Sequence, residues 1–176
     1  MRQLKIFIEL TRLNKPIGFM LLFWPCSWGL AYAHTLNGNI NLFTQYLILF
    51  FLGSVLMRSA GCIVNDIVDK DYDKKVNRTK KRPLAADRIT IKQSISYVLL
   101  LCFVAFFILI QFNVLTIILG MGSMLLAFAY PFMKRITYWP QLFLGVTFNW
   151  GIIMAWAAIH NNITVEISIL YLSAIF

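Results

Sequence analysis

Long apolar segments alternate with short polar segments along the chain. No Asp, Glu, Lys or Arg occurs in residues 16–57, 93–133 or 136–165. Each of these segments is long enough for one or two membrane helices, because about 20 apolar residues cross a bilayer. Polar turns divide them into five predicted spans, with the start of a sixth near Ile163: about 16–33, 42–64, 93–110, 114–130 and 139–159. The pattern therefore predicts an all-α fold, a polytopic transmembrane helical bundle forming a single membrane domain over residues 1–176.

Composition agrees with this pattern. Of the 176 residues, 60% are hydrophobic, and the mean hydropathy is +0.73, whereas soluble domains are about 45–50% apolar. Cys26, Cys62 and Cys102 lie in apolar segments without metal-ligand spacing. The formal net charge of +9 could indicate nucleic-acid binding, but its distribution favours membrane orientation, and we expect no nucleic-acid partner.

The basic residues predict that orientation. Residues 1–15, 65–92 and 131–138 hold four, nine and two of the sixteen Lys and Arg residues, and the turns between them on the opposite side hold none. Because Lys and Arg concentrate on the cytoplasmic side, the N-terminus and the 65–92 loop are predicted to be cytoplasmic. Residues 1–15 mix basic and apolar positions and are predicted to form an interfacial helix. We expect a multi-pass integral membrane protein.

Candidate chemistry begins where the second span ends. Residues 65–73, here called the acidic stretch, contain four of the seven acidic residues in the chain. On a helix, Asn65, Asp69 and Asp73 share one face at spacings of four, and Asp66 shares a face with Asp69. Side-chain oxygens are the ligands that Mg²⁺ prefers, usually together with phosphate oxygens from a substrate. The stretch therefore predicts a site for a divalent metal and a phosphate-bearing ligand.

Several cations are candidates to bind an anionic ligand beside it. Arg58 lies inside the second span, where a charge is costly and suggests either function or a structural ion pair with a nearby aspartate. Arg78 and Arg82 follow the acidic stretch, and an arginine fork suits diphosphate oxygens. Lys134 and Arg135 emerge from the fourth span on the same side. For these loop residues, membrane orientation alone is the competing explanation.

These motifs resemble a known family. The acidic stretch has the pattern N-D-x-x-D-x-x-x-D and is followed by Arg78 and Arg82-Pro83-Leu84. The segments that accompany it are Lys15-Pro16-Ile17-Gly18 with Trp24-Pro25, Met57-Arg58-Ser59-Ala60-Gly61-Cys62 and Tyr130-Pro131-Phe132-Met133-Lys134-Arg135. In this order and spacing the chain resembles the UbiA superfamily of intramembrane prenyltransferases, most of all its 4-hydroxybenzoate polyprenyltransferase group in ubiquinone synthesis.

The resemblance implies a Mg²⁺-dependent aromatic prenyltransferase with a UbiA-type fold, acting on polyprenyl diphosphate and 4-hydroxybenzoate within the lipid bilayer. It also implies a bacterial inner membrane or a mitochondrial inner membrane as the location. It implies metal or diphosphate ligands at Asn65, Asp69 and Asp73, with Asp66 accessory. It implies catalytic roles for Asp69, Asp73 and Arg135. The implied substrate-binding residues are Arg58, which is a candidate for the acceptor carboxylate, and Arg78, Arg82 and Lys134.

The chain also departs from the family pattern. Superfamily members have further membrane helices and a second aspartate-rich motif, whereas Glu166 is the one acidic residue after Asp87. We therefore expect a truncated fold, with three alternatives to an active enzyme for 4-hydroxybenzoate. The chain is a non-catalytic remnant, a half-subunit completed by a separate C-terminal half, or a prenyltransferase for another aromatic acceptor. A cation transporter is disfavoured, because coupling-ion sites usually lie near the membrane midplane.

Overall fold

A computed structural model describes residues 2–136 and 138–175, without the side chains of Arg2, Lys134 and Arg135. This part of the chain is helical and contains no strand. The helices are α1 (Arg2–Thr11), α2 (Ile17–Asn37), α3 (Ile40–Val68), α4 (Lys70–Asp73), α5 (Ile91–Leu109), α6 (Val114–Ile136), α7 (Pro140–Asn149), α8 (Gly151–His160) and α9 (Val165–Ile175).

Among the described residues, four helical segments are long and apolar enough to cross a membrane: Ile40–Val68, Ile91–Leu109, Val114–Met133 and Pro140–His160. They match the second to fifth predicted spans and confirm a polytopic helical membrane bundle. Helix α2 corresponds to the first predicted span and has no Asp, Glu, Lys or Arg. It falls outside those four because Trp24, Pro25, Trp28 and His34 make it less apolar.

Helix boundaries follow local chemistry. Helix α2 ends at Gly38, which adopts a left-handed φ of 69° that glycine tolerates, and whose N–H bonds to His34 O. Asn39 then caps α3, with its side chain accepting a 3.1 Å hydrogen bond from Leu42 N. Thr90 begins α5 with a capping box to Gln93.

One predicted end was wrong, and one span contains an internal break that was not predicted. The fourth span was expected to end at Pro131, but α6 continues through this residue to Ile136. Proline is tolerated inside membrane helices because neighbouring groups satisfy the freed backbone carbonyl. The fifth span is divided into α7 and α8 at Trp150, whose indole Nε1 donates a 3.0 Å hydrogen bond to Leu119 O on α6.

Packing brings α1 and the 65–92 loop against the end of α3. Helix α2 packs most extensively on α8 and α3, and α3 packs on α5. Near the C-terminal end of α3, one apolar cluster joins α1 through Ile6 and Leu10, α3 through Ile63, and the loop through the fully buried Leu84. The loop that follows the acidic stretch therefore packs against α1 through apolar contacts.

Candidate functional site

The acidic stretch forms a jointed helix at the end of α3. Helix α3 ends at Val68, Asp69 has φ −90° and ψ 1°, and α4 begins at Lys70. Backbone hydrogen bonds from Asp69 N to Asn65 O (2.9 Å) and from Asp73 N to Asp69 O (2.8 Å) maintain the spacing of four across the joint. The expected ladder is therefore present in the backbone, but it bends at Asp69.

Asp66 lies at the centre of an ion-pair group. Its side chain is only 2% exposed. Its Oδ1 accepts hydrogen bonds from Arg12 Nη2 at 2.6 Å and from Arg82 Nη1 at 3.2 Å. A buried carboxylate needs such partners, because an unpaired charge in an apolar surrounding is very costly. The described contacts of Asp66 are therefore those of a residue that holds arginines in place.

Arg82 also contacts Asp73. Its Nη1 lies 2.7 Å from Asp73 Oδ2. The backbone oxygen of Asp73 accepts a 3.1 Å hydrogen bond from the buried Thr79 hydroxyl, which fixes the turn after α4. Arg82, predicted to bind diphosphate, and Asp73, predicted to bind metal, are thus in contact. Arg78 lies exposed on the loop surface.

Three further ion pairs hold the loop in place. Asp87 has a left-handed φ of 51°, and its two carboxylate oxygens each lie 2.8 Å from an ammonium group, one from Lys70 Nζ and one from Lys74 Nζ. The hydrogen bonds from these lysines, Lys70 first, lower the pKa of Asp87 to about 2. Arg88 Nη2 joins Glu9 Oε2 on α1 at 2.5 Å and also donates to Lys81 O. The loop is therefore connected to both α4 and α1.

The donor set of the acidic stretch suits Mg²⁺ in chemistry. Amide and carboxylate oxygens are present at Asn65, Asp69 and Asp73, and Mg²⁺ usually takes one or two carboxylates plus substrate phosphates. In the described part of the chain, no three His, Cys, Asp or Glu side chains are gathered closely enough to hold a metal by themselves. The stretch therefore fits a metal whose coordination is completed by a phosphate-bearing ligand.

A cavity of about 320 Å³, here called the polar cavity because Arg12, Arg58 and Asn65 contribute polar groups to its lining, lies next to the acidic stretch. Arg12, Arg58 and Asn65 line it together with Tyr130 and Phe148. The described lining residues include two arginines and no carboxylate, so the cavity has a positive character. It is suited to a small ligand with an anionic group.

The Arg58 side chain is positioned in this cavity by its contacts with Phe148 and Gly18. Its guanidinium carbon lies 5.5 Å from the centre of the Phe148 ring, a cation–π distance. A Cβ at Gly18 would come within 3.1 Å of Arg58 Nε, so a glycine at this position leaves room for the guanidinium. Arg58 Nε is buried and has no hydrogen-bond partner among the described residues. The alternative prediction was an ion pair between Arg58 and an aspartate. Among the described residues, Asp66 and Asp73 form their ion pairs with arginines other than Arg58.

An apolar cavity of about 120 Å³ adjoins the polar one. The two share Leu22, Met57, Ser123 and Thr147 as lining residues. Residues from five helices complete its wall, among them Cys26, Phe50, Phe106 and Met154. The cavity lined by the two arginines therefore adjoins an apolar cavity, and this arrangement suits a ligand with one charged and one apolar end.

Sequence reasoning missed Arg12 and Gly18 as parts of this site. Arg12 and Asp66 are 54 positions apart, so no local spacing indicates their pairing. Gly18 was noted only as part of a motif. The side chains of Lys134 and Arg135, which were predicted to converge here, lie outside the described residues.

Comparison with known proteins gives consistent results. The model of the UbiA prenyltransferase family matches residues 22–176. The chain is 46% identical over 161 residues to the mitochondrial 4-hydroxybenzoate polyprenyltransferase of Caenorhabditis elegans, covering 92% of this chain and 45% of that protein. It is 44% identical over 162 residues to the 4-hydroxybenzoate octaprenyltransferase of Hydrogenovibrio crunogenus, covering 92% and 55%. The chain thus spans about half the length of these curated relatives.

Solved structures show the same fold. A UbiA homologue from Archaeoglobus fulgidus, bound to DMAPP and Mg²⁺, superposes with a TM-score of 0.76 at 15% identity, over 96% of this chain and 58% of that one. The apo structure of a UbiA homologue from Aeropyrum pernix K1 gives 0.71 at 23% identity, over 89% and 57%. At these identities the likeness concerns the fold.

Proposed function

The chain belongs to the UbiA prenyltransferase family, and on that premise we propose that it acts in the transfer of a polyprenyl group from polyprenyl diphosphate to the ring of 4-hydroxybenzoate, in ubiquinone biosynthesis. Its relatives are named for that acceptor. The observation that carries the proposal is the positively lined cavity beside the acidic stretch, which opens towards an apolar cavity. One chamber suits the charged groups of both substrates, and the other suits an isoprenoid chain.

The diphosphate is assigned to the acidic stretch and the loop. Asn65, Asp69 and Asp73 would hold Mg²⁺, with Asp66 accessory; the bound metal would neutralise the diphosphate and stabilise it as a leaving group. Arg82 supplies N–H donors whose positive charge stabilises the departing diphosphate oxygens. The exposed Arg78 lies four positions earlier on the same loop, and Lys134 and Arg135 are further candidates.

The acceptor is assigned to Arg58. A guanidinium binds a carboxylate through two parallel hydrogen bonds, and its buried Nε lacks a partner among the described residues. The guanidinium carbon lies over the Phe148 ring, 5.5 Å from its centre. Bound in this way, 4-hydroxybenzoate would lie inside the same cavity as the diphosphate, which shortens the path between ring carbon and prenyl carbon.

The aromatic walls protect the reacting group. Ionisation of the C–O bond produces an allylic cation, and the aromatic rings of Tyr130 and Phe148 are among the residues that line the cavity in which it would form. The ring carbon ortho to the phenol then forms a C–C bond to this cation, while the diphosphate has left with the electron pair of the broken C–O bond. Transfer of the proton on that ring carbon to the released diphosphate or to water restores aromaticity. The apolar cavity excludes water from the prenyl chain, which limits hydrolysis of the cation.

The membrane setting follows from the same assignment. Within the multi-pass fold, we place the N-terminus and the acidic stretch on the cytoplasmic side of a bacterial inner membrane, or on the corresponding side of the mitochondrial inner membrane. The bilayer then delivers the long isoprenoid donor, and the aqueous face supplies Mg²⁺ and 4-hydroxybenzoate. Cysteine-accessibility labelling of Asn77→Cys and Asn161→Cys in intact cells tests this orientation, with reaction expected from opposite sides.

The function is tested by prenyl transfer in membranes that contain the chain. We expect Mg²⁺-dependent formation of 3-polyprenyl-4-hydroxybenzoate from polyprenyl diphosphate, detected by mass spectrometry and abolished by EDTA. The proposal would be refuted if no product formed with any of several aromatic acid acceptors, either from the chain alone or from the chain co-expressed with the remaining half of a relative. Product from a different acceptor only would favour a prenyltransferase of another specificity.

A half-subunit is the second candidate, because the chain spans about half the length of its curated relatives. The same assay therefore includes an arm in which the remaining half of a relative is co-expressed as a separate polypeptide. Product in this arm alone favours a two-part enzyme. Product from the chain alone excludes that requirement.

A further inference from the structure

We infer that Arg12 is a further oxyanion-binding residue of the polar cavity and that Asp66 positions it. The identity of the oxyanion, a diphosphate or a benzoate carboxylate, rests on the proposed function. The binding of an oxyanion at Arg12 does not, because it follows from the contacts of this residue.

The backbone turns at Arg12 in an unusual way. Helix α1 ends at Thr11, and Arg12 has a φ of 57°, in the left-handed region that residues with side chains rarely adopt. A 2.9 Å hydrogen bond from Lys15 N to Arg12 O closes the turn. Such a conformation persists only where surrounding contacts fix it, and it tends to occur at functional positions.

The carboxylate of Asp66 holds the Arg12 side chain in position. The 2.6 Å hydrogen bond from Arg12 Nη2 to Asp66 Oδ1 joins the end of α1 to the buried end of α3. This bond uses one edge of a guanidinium that has five N–H donors. Arg12 also lines the polar cavity, so donors not used by Asp66 are available to a ligand there.

The cavity lining explains why an anion is the expected ligand. Arg12 and Arg58 both line it, its described lining contains no Asp or Glu, and Arg58 Nε is buried without a described partner. Two guanidinium groups at the membrane end of a helix bundle are costly unless an anion compensates them. Asp66 compensates Arg12 only in part, because the same oxygen also accepts from Arg82.

Arg12 is distinguished from the other cation that joins α1 to the loop network. Arg88 also contacts α1, through Glu9, but its side chain is 36% exposed and it does not line the polar cavity. Arg88→Gln is therefore a matched control, since it removes an arginine and a contact with α1 without touching the cavity.

The test measures binding directly. The chain is placed in phosphatidylcholine nanodiscs and titrated by calorimetry with inorganic pyrophosphate plus Mg²⁺, and separately with 4-hydroxybenzoate, using neutral 4-hydroxybenzamide for comparison. We expect Arg12→Gln to weaken one of the two oxyanions by about tenfold or more, the loss expected for one charge-assisted hydrogen bond. Asp66→Asn should weaken the same oxyanion, and Arg88→Gln should remain within about twofold of the unsubstituted chain, since exposed ion pairs contribute little.

The affected probe identifies the ligand. Selective loss of pyrophosphate binding assigns Arg12 to the donor, and selective loss of 4-hydroxybenzoate binding assigns it to the acceptor. If Arg12→Gln does not fold, Arg12→Lys decides the matter, because an ammonium cannot reproduce the guanidinium fork: weakened binding supports the inference and unchanged binding overturns it. Unchanged affinity for both probes in a folded Arg12→Gln chain, or binding of neither probe by the unsubstituted chain, would also overturn it. Loss of binding in Arg12→Gln without detectable prenyl transfer by any arm would leave the inference standing and refute only the proposed function.

Discussion

Arg82 Nη1 lies 2.7 Å from Asp73 Oδ2, so a residue assigned to the diphosphate is hydrogen-bonded to one assigned to the metal. The same nitrogen lies 3.2 Å from Asp66. A diphosphate arriving with Mg²⁺ would offer Arg82 phosphate oxygens and offer Asp73 a metal ion. We therefore expect these two side chains to exchange partners when the donor binds, which makes their coupling measurable.

The first prediction concerns this coupling. Arg82→Gln should lower kcat/KM for polyprenyl diphosphate by about 10- to 100-fold, the loss of one charged hydrogen bond. Asp73→Asn should also lower it, and the double variant should lose less than the product of the two single losses, because the residues act on each other. Prenyl-transfer kinetics in membranes measure the cycle. Fully multiplicative losses would show that the pair is independent.

The second prediction separates two aspartates of similar position. Asp69→Asn should abolish Mg²⁺-dependent transfer, because an amide is a weaker ligand than a carboxylate for a hard cation. Asp71→Asn makes the same chemical change two residues away, on the exposed side of α4, and should retain activity. Equal losses in both variants would contradict the assignment of Asp69 as a metal ligand.

The third prediction concerns the room that Gly18 leaves for Arg58. In Gly18→Ala, a Cβ 3.1 Å from Arg58 Nε would force the flexible guanidinium to shift by a few tenths of an ångström. We expect KM for 4-hydroxybenzoate to rise by about tenfold, while KM for the polyprenyl donor changes less, since a bidentate contact depends strongly on geometry. Gly122→Ala is the matched control, because its nearest neighbour would be 4.0 Å away.

The fourth prediction concerns acid. Lys70 and Lys74 lower the pKa of Asp87 from 3.8 to about 2. A lowered pKa means that this carboxylate stabilises the folded loop above its unfolded pKa, and that the contribution is lost as pH falls from about 4 through 2. Carboxyl titration by NMR with labelled aspartate should give a midpoint near the lowered value. In Lys74→Gln the midpoint should move upwards, and an unchanged midpoint would contradict the role of Lys74.

Much of the fold could be predicted because hydropathy and charge report it directly. The end of α3 at the acidic stretch follows from the change from apolar to charged residues, and the turn at Asn113 follows from polarity. Pro131 was misjudged because local propensity treats proline as a helix end, whereas tertiary packing decides in a membrane bundle. The spacing of four along the acidic stretch was predicted, but spacing alone does not reveal the joint between α3 and α4 at Asp69.

The site was harder to predict than the fold. Spacing on one helix gave the residues of the acidic stretch, but it assigned Asp66 to a metal on chemistry alone, without its two arginine partners. The contacts of Asp66 with Arg12 and Arg82 join positions that are 54 and 16 residues apart. The spacing of residues along a helix gives no indication of such pairs. The role of Gly18 depends on a Cβ distance to Arg58, which no pattern along the chain expresses.

The attachment of α1 to the loop has a consequence for the order in which the protein forms. Glu9 and Arg88 are 79 positions apart, and Leu84 completes the cluster around Leu10. During synthesis, α1 leaves the ribosome before any of these partners exists. Helix α1 is the first helix to be made, and it therefore lacks these contacts until α3 and the loop as far as Arg88 have been translated.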